Sequence, residues 1–548
     1  MRRVAAGPTA GRSISWNDGP AAGARKAGPN GQGIRDRAEV TSLQDDDAGA
    51  KPLAILVGDL GGSRWGDWTG VRVRTIALDS REVEPGALFV ALPGQNTHGV
   101  HHIPDALARG AVALWVPDAV SETVRTRWPD HPGWATPDPR ALLGAVAARL
   151  YGHPADRLRL AGVTGTNGKT TVAYMLAQIL EAADRTVALW STAWAGTRGQ
   201  GGRPRMTTPE APVLHRFLAE AVSRGATDAV LEVSSHAVVL RRIAGLRFAV
   251  GVVTNLSPDH LDFHGSLTAY VDAKRRFVAE LPQDAVAVLN ADDPVVRSFR
   301  EAAQGSVVTF GTAPEADVRA RSIEPEGVGF IVRVRLATTV PGAASDLVLR
   351  LALAGRHNVA NALAALAAAT ALGVAPETAA AALERFAPPV RRLQSRQVGP
   401  YTVVDDVAMN PGSYEAVLAT VAAWGRPVVL VNALRGNRGT EVNRHIAQIL
   451  ARWAPRLGVD RVIATESRGQ VALLPVDYRV RPEERAAFEE AARAAGLPVV
   501  VHPELEEALD EAVRQLEPGG VLLLLGTFGM DAGPDLAVAR LRRHPATE

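Results

Sequence analysis

AGVTGTNGKTTVAYMLAQIL, residues 161–180, decides the class of fold. An apolar run, LRLAGVTG, leads into a glycine-bearing loop, and the loop opens directly into TTVAYMLAQIL, a segment of helical period. Strand, loop and helix in that order begin a parallel sheet covered by helices. Gly165 and Gly168 let backbone N–H groups approach an anion, and the helix starting there adds its dipole. The residues Gly165, Thr166, Asn167, Gly168, Lys169, Thr170 and Thr171 thus form the expected phosphate loop. Lys169 is placed to bridge the outer phosphates of a nucleotide and the Thr170 hydroxyl to meet Mg2+. Gly165 stands only three positions before Gly168, a departure from the common GxxxxGK spacing.

Outward from the loop, the apolar runs DAVLEV and AVGVVTNL read as neighbouring strands. Their ends deliver Glu232, Ser234, Ser235 and His236 in one case, and Asn255, Asp259, His260 and Asp262 in the other. In open parallel sheets ligands bind at the carboxyl ends of strands, so these groups are expected near the phosphate loop. A carboxylate such as Glu232 suits Mg2+, which takes oxygen ligands and keeps several waters. The alanine-rich HNVANALAALAAATALG reads as a helix, and PPVRRLQSR as a linker into a further α/β unit with strands TVVDDV, PVVLVN, RVIAT, LPVVV and GVLLLLG. A smaller α/β unit precedes the loop, with strands LFVAL and AVALWV around the helix IPDALARG.

The expected organisation is α/β in three domains. A tail over 1–50, rich in Gly, Ala, Pro and charge, cannot bury enough apolar surface to order. A small N-terminal α/β domain over 51–155 follows, then a central parallel-sheet domain with the phosphate loop over 156–386, and a Rossmann-like α/β domain over 387–548. With 548 residues the chain is too long for one core. A net charge of +2 disfavours a nucleic-acid partner. No apolar run reaches the roughly 18 to 20 residues that span a bilayer, and the first fifty residues lack a signal peptide's apolar segment, so a cytoplasmic protein without membrane partners is expected. There is no cysteine, which excludes disulfides and thiolate chemistry. The three histidines of HGVHHI, 98–103, lack an evident fourth ligand and read as surface or substrate-facing imidazoles.

Of 60 Lys and Arg residues only Lys26, Lys51, Lys169 and Lys274 are lysines. Lys274, in VDAKRRF, stands beside two arginines, so an amine is kept where arginine is the rule. GTNGKTT (165–171), MTTPE (206–210), EVSSH (232–236), NLSPDHLDFHG (255–265), the AK of VDAKRRF, and ALDSREVEPGALFVAL (77–92) together resemble the Mur ligases. These are cytoplasmic ATP-dependent amide-forming enzymes of peptidoglycan synthesis, and EVSSH with TTPE is most similar to the branch that adds the third amino acid. The resemblance implies a lysine at 274 carbamoylated by CO2, with the anion helping to hold Mg2+. The chemistry needs an amine that can lose its proton, which guanidinium cannot do.

By the same resemblance Lys169, Glu232, His260 and Lys274 are the catalytic residues, and Thr170, Glu232, His260 and Lys274 the Mg2+ ligands. Asn358, Arg392, Asp406 and Asn410 join the phosphate loop in binding ATP. Ser80 and Arg81 match positions that contact a uridine diphosphate, and Thr207, Thr208, Ser234 and Arg242 the muramoyl-peptide acceptor. A monomer is expected. The last domain departs from the family. DVAMNP, 406–411, keeps Asp406, Asn410 and Pro411 but has Val407 and Met409 for an aromatic and a histidine. NALRGNRGTEVNR (432–444) replaces a Gly-rich segment, ATESRG (464–469) stands about where a donor-binding Asp-Asn-Pro-Arg belongs, and LLGTFGMD (524–531) replaces a later glycine motif. Arg435 and Arg438 read first as solvated loop arginines, with bidentate binding of a carboxylate by either as the alternative. The donor amino acid is thus open, with meso-diaminopimelate and L-lysine expected to be poor donors. A related ligase acting on another carboxylate, or a nucleotide-binding regulatory subunit, are the alternatives.

Overall fold

The computed structural model describes residues 49–94, 97–340, 346–474 and 477–543, so the expected tail lies outside the described residues up to position 48. The chain forms two compact units. Among the described residues, the first gathers those up to 158, 186–229 and 240–246, and the second 159–185, 230–239 and those from 247 onward. The α/β class expected from the strand and helix patterns is what both contain.

The first unit is built on a five-stranded sheet in the order Ser63–Trp65, Gly133–Thr136, Ala111–Pro117, Ala87–Val90, Thr75–Ala77. All neighbours are parallel except the edge strand Ser63–Trp65. The inner strands Ala87–Val90, Ala111–Pro117 and Gly133–Thr136 are buried nearly throughout, as parallel strands covered on both faces are, whereas the edge strand leaves Ser63 and Arg64 exposed. Trp115 and Trp134 stack across adjacent strands with centroids 4.3 Å apart and are wholly buried. Each buried indole N–H has found an acceptor, Trp115 on Thr136 Oγ1 at 2.9 Å and Trp134 on the Gly61 carbonyl at 2.8 Å. His98 of HGVHHI accepts from Val100 N at 3.2 Å and so caps a short turn.

In the second unit Arg159–Thr164 pairs in parallel with Phe248–Val253, then Val286–Asn290, Ser306–Gly311 and Val318–Glu326. The strand Asp228–Glu232, whose end from Val230 belongs to this unit, is next to Arg159–Thr164 in the sheet. The sheet then continues antiparallel through Gly329–Leu336 and Asp346–Leu351. Helix Lys169–Ala182 packs against Arg356–Ala371, whose alanines are buried nearly all round. Small side chains are what allow that close approach. A second sheet has the order Gln394–Val398, Tyr401–Asp406, Val521–Leu525, Val428–Ala433, Val462–Thr465, Val499–His502, parallel beyond its edge hairpin. Among the described residues no helix is long and apolar enough to cross a membrane.

The stacked indoles fill the centre of the first unit, so Trp134→Ala should lower unfolding stability by about 3–5 kcal/mol. Urea titration followed by circular dichroism reads the loss, and a change under about 1 kcal/mol would show that the neighbouring chains collapse into the space.

Candidate functional site

The phosphate loop is shaped by its glycines. Gly165 has φ +137° and Gly168 φ +85°, in the region other residues avoid. A Cβ would stand 1.9 Å from Thr254 Oγ1 at Gly165 and 2.3 Å from Asn361 Oδ1 at Gly168, so neither position admits a side chain. The loop is then sewn to the end of strand Phe248–Val253. Thr166 N donates to the Asn255 carbonyl at 2.8 Å and Asn167 N to Asn255 Oδ1 at 3.0 Å, while Thr254 Oγ1 and Asn255 Nδ2 donate to the Asn167 carbonyl at 2.6 and 3.0 Å. Thr166 Oγ1 lies 2.9 Å from the Tyr270 hydroxyl.

Both lysines converge on this loop. Lys169 Nζ donates to the carbonyls of Gly165 at 3.1 Å and Thr166 at 2.8 Å. Lys274, 1% exposed, donates to the same Gly165 oxygen at 2.7 Å and to Thr164 Oγ1 at 3.3 Å, with its Nζ 4.9 Å from the Tyr270 ring centroid. It is therefore no exposed helical lysine. Burial drives its pKa well below the ordinary lysine value, and the charge of Lys169 drives it further the same way. Burial also lowers Lys169, opposed by the carboxylates of Glu232 and Asp259. Glu232 ends its strand wholly buried.

His260 takes the left-handed conformation, φ +52°, at the head of the turn Leu261–His264, without capping it through its side chain. Its ring meets His236 edge-on at 4.8 Å, and its Nε2 is 3.9 Å from Asp259 Oδ2. Burial holds its pKa below the usual histidine value, with Asp259 opposing. Ser234 Oγ accepts from Ala237 N at 3.1 Å, and Ser235 Oγ lies 2.9 Å from His264 Nε2.

Residues far along the chain reach the same loop. The Asn410 amide pairs reciprocally with that of Asn167, at 3.0 and 3.2 Å, and also donates to Asp259 Oδ2 at 3.0 Å. Its Oδ1 accepts from Ser413 N at 3.0 Å and so caps helix Pro411–Ala422. Arg392 donates to Thr170 Oγ1 at 3.1 Å, and Asp406 Oδ2 accepts from Leu393 N at 2.8 Å. Burial raises Asp406 to about 6, with Arg392 opposing. Asn358 spans the helix start, donating to the Ala354 carbonyl at 2.8 Å and accepting from Asn361 at 3.0 Å. Thr171 is buried in the first turn of helix Lys169–Ala182.

Ser80, Arg81, Thr207, Thr208 and Arg242 belong to the first unit. Ser80 is buried in a short turn, while exposed Arg81 pairs with Asp79 at 2.6 Å. Thr207 Oγ1 lies 2.9 Å from Thr192 Oγ1, and the Thr208 carbonyl accepts from Arg242 at 3.2 Å. The Glu210 carboxylate receives both Arg242 and Arg140, each at 3.0 Å, and so orients two cations together.

Two features escaped the reading of the sequence. Arg435 is not a solvated loop arginine: it is half-buried, and its guanidinium donates to the Met409 carbonyl. Arg391, 5% exposed at φ +60°, holds Asp405 at 3.2 Å, Asp531 and the Gly526 carbonyl. The adjacent charges of RR and DD were the one signal, and spacing could not say which member turns inward. Removing one side of a buried pair leaves an uncompensated charge, so Arg391→Met should cost about 3–5 kcal/mol by urea unfolding. A neutral outcome would mean that water replaces the guanidinium.

Comparison with known proteins gives a consistent pattern. Three family models match: Mur ligase family, catalytic domain, over 72–151; Mur ligase middle domain, over 163–369; and Mur ligase, glutamate ligase domain, over 391–528. A UDP-N-acetylmuramyl-tripeptide synthetase of Roseiflexus sp. (strain RS-1) is 36% identical over 473 residues, covering 82% of this chain and 89% of the relative. A UDP-N-acetylmuramoyl-L-alanyl-D-glutamate–2,6-diaminopimelate ligase of Alkalilimnicola ehrlichii is 38% identical over 419 residues, 73% of this chain and 81% of the relative. Among solved structures, MurF from Acinetobacter baumannii aligns with TM-score 0.63 at 21% identity over 88% of this chain and 100% of the other, which speaks for the fold alone.

Proposed function

The chain belongs to the Mur ligase family, and on that premise we propose that it is an ATP-dependent, ADP-forming ligase joining an amino acid to a UDP-N-acetylmuramoyl dipeptide in peptidoglycan precursor synthesis. The observation that carries this reading is the convergence of Lys169 and Lys274 on the one carbonyl oxygen of Gly165. Two buried amines this close cannot both hold a proton cheaply. Burial lowers both, but the Glu232 carboxylate supports a proton on Lys169, the amine assigned to the phosphates, while the charge of Lys169 opposes one on Lys274. Lys274 is left able to act as a neutral amine. Its nitrogen lone pair can bond the carbon of CO2, a proton leaves that nitrogen, and an anionic carbamate forms beside a cation.

The substrate carboxylate would attack the γ-phosphorus, releasing ADP and leaving an acyl phosphate. The incoming amine would then attack the acyl carbon, and inorganic phosphate would leave. Lys169 and the N-terminus of helix Lys169–Ala182 hold the phosphates through the transfer. Asn358, Arg392, Asp406 and Asn410 complete the nucleotide site with Gly165, Thr166, Asn167, Gly168, Thr170 and Thr171. Thr170, Glu232, His260 and carbamoylated Lys274 would hold Mg2+, which offsets charge on the phosphates. The buried, oxygen-bearing Glu232 and Thr170 suit that ion. Among the described residues no three His, Asp or Glu side chains form a metal group. Ser80 and Arg81 are assigned to the uridine diphosphate, and Thr207, Thr208, Ser234 and Arg242 to the muramoyl peptide. A cytoplasmic monomer completes the reading.

Lys274→Ala should lose at least about 100-fold in ADP release with UDP-N-acetylmuramoyl-L-alanyl-D-glutamate as acceptor. Acetate or another short carboxylate should restore part of it by standing where the carbamate stood, and Lys274→Arg should stay inactive. Full activity in the arginine variant would remove the carbamate from the mechanism.

The donor side is tested by a screen of amino acids. ATESRG places a buried carboxylate, Glu466, between Arg468 at 2.5 Å and Arg485 at 3.3 Å, an ion cluster in place of the family's donor signature. We therefore expect another amino acid to exceed meso-diaminopimelate and L-lysine in kcat/KM. Efficient use of either would show that this altered loop still builds the usual pocket.

A further inference from the structure

Glu484 opens helix Pro482–Ala494 and is 1% exposed. A buried carboxylate needs donors, and this one takes four backbone N–H groups. Its Oε1 accepts from Arg438 N at 2.9 Å and Gly439 N at 2.8 Å; its Oε2 accepts from Asn437 N at 3.1 Å and Arg481 N at 2.9 Å. Three successive amides of the loop after strand Val428–Ala433 thus turn toward one side chain. Such a loop has no regular structure of its own to hold it, and the carboxylate supplies that frame.

The loop carries two arginines. Arg435 reaches the carbonyl of Met409, the residue before Asn410. Arg438 stands 3.5 Å from Asp262 Oδ2, seven residues beyond the Asn255 that pins the phosphate loop. With Thr527 and the stacked rings of Tyr478 and Phe528, centroids 4.2 Å apart, they line a narrow recess of about 10 Å³ with Asp262 beside Arg438, so a ligand larger than water would sit at its mouth. Cations above an apolar floor suit an amino acid's carboxylate and its carbon chain.

We propose that Glu484 is a positioning residue of the ligation site: by holding the amides of 437–439 it fixes Arg435 and Arg438 where the incoming amino acid is oriented. It makes no contact with the reacting atoms. The inference rests on the ligase reading given above, and it separates the loop's frame from the arginines that the frame presents.

Glutamine is the discriminating substitution. Its amide has one acceptor oxygen and one NH2 group, and each Glu484 oxygen serves two N–H donors. Whichever way the amide turns, its NH2 faces two N–H groups, so half of the frame is lost while the volume is kept.

The test measures ADP release by the full chain and by Glu484→Gln, with Glu484→Asp as the conservative variant. The substrates are ATP, UDP-N-acetylmuramoyl-L-alanyl-D-glutamate, and the best donor among meso-diaminopimelate and the standard amino acids. The glutamine variant should raise the donor KM about tenfold while the KM values for ATP and the acceptor stay within about twofold. Its amides 437–439 should exchange hydrogen faster, and Glu484→Asp should recover part of the donor affinity. An unchanged donor KM overturns the proposal. So does an equal loss toward all three substrates with a lowered melting temperature, which is what a merely structural role predicts. A wild-type chain that releases no ADP with any donor removes the ligase reading instead, and this inference with it.

Discussion

The Gly165 carbonyl is the point on which the site turns. Its oxygen accepts from Lys169 and from Lys274, two residues more than a hundred positions apart in a chain with only four lysines among its 60 Lys and Arg residues. The oxygen can be there only because Gly165 adopts φ +137° with its Cα against Thr254, a place where any Cβ collides. One backbone conformation therefore brings two amines to a single acceptor, where burial lowers the pKa of both and the charge of Lys169 lowers Lys274 further. On the proposed ligase reading, that shared contact places the amine assigned to phosphate beside the amine assigned to CO2.

Around this point the stabilising interactions are mostly local hydrogen bonds with long sequence separation. Asn255 and Thr254 tie the loop to the adjacent strand, and Asn410 ties it to the cap of a helix in the other sheet of the second unit. Arg392 reaches Thr170 from the linker between those two sheets. Neighbouring Arg391 adopts a left-handed conformation that costs a non-glycine residue about 1–3 kcal/mol. Its guanidinium offsets that strain by satisfying Asp405, Asp531 and the Gly526 carbonyl at once. Linker geometry and nucleotide-loop geometry are thereby parts of one hydrogen-bonded frame.

The legible part of this protein was its local chemistry. Glycines at 165 and 168, an amine at 169 and a hydroxyl at 170 announce a phosphate loop because each residue type answers a backbone or charge requirement that few others meet. Lys274 stood out against arginine usage for the same kind of reason. Less could be seen where chemistry is ambiguous. Arg435 looked like a solvated loop residue, and its burial depends on a carbonyl of residue 409 that no pattern in NALRGNRGTEVNR reveals. Glu484 sits in an ordinary acidic helix start, PEER, where solvated carboxylates are the rule.

By itself, then, the sequence determined the α/β class, the strand ends that carry polar groups and the residue types able to handle phosphate and CO2, because periodicity and side-chain chemistry act over short stretches. Only the tertiary structure decided which of those groups share an environment. The grouping of Thr207, Thr208 and Arg242 with the first unit, the two lysines on one oxygen, and the three loop amides 437–439 on Glu484 all arise from contacts between distant segments. Burial removes water as an alternative partner, so a carboxylate or amine must take whatever donor or acceptor the packed chain brings to it. That choice is made by three-dimensional proximity, which no local pattern encodes.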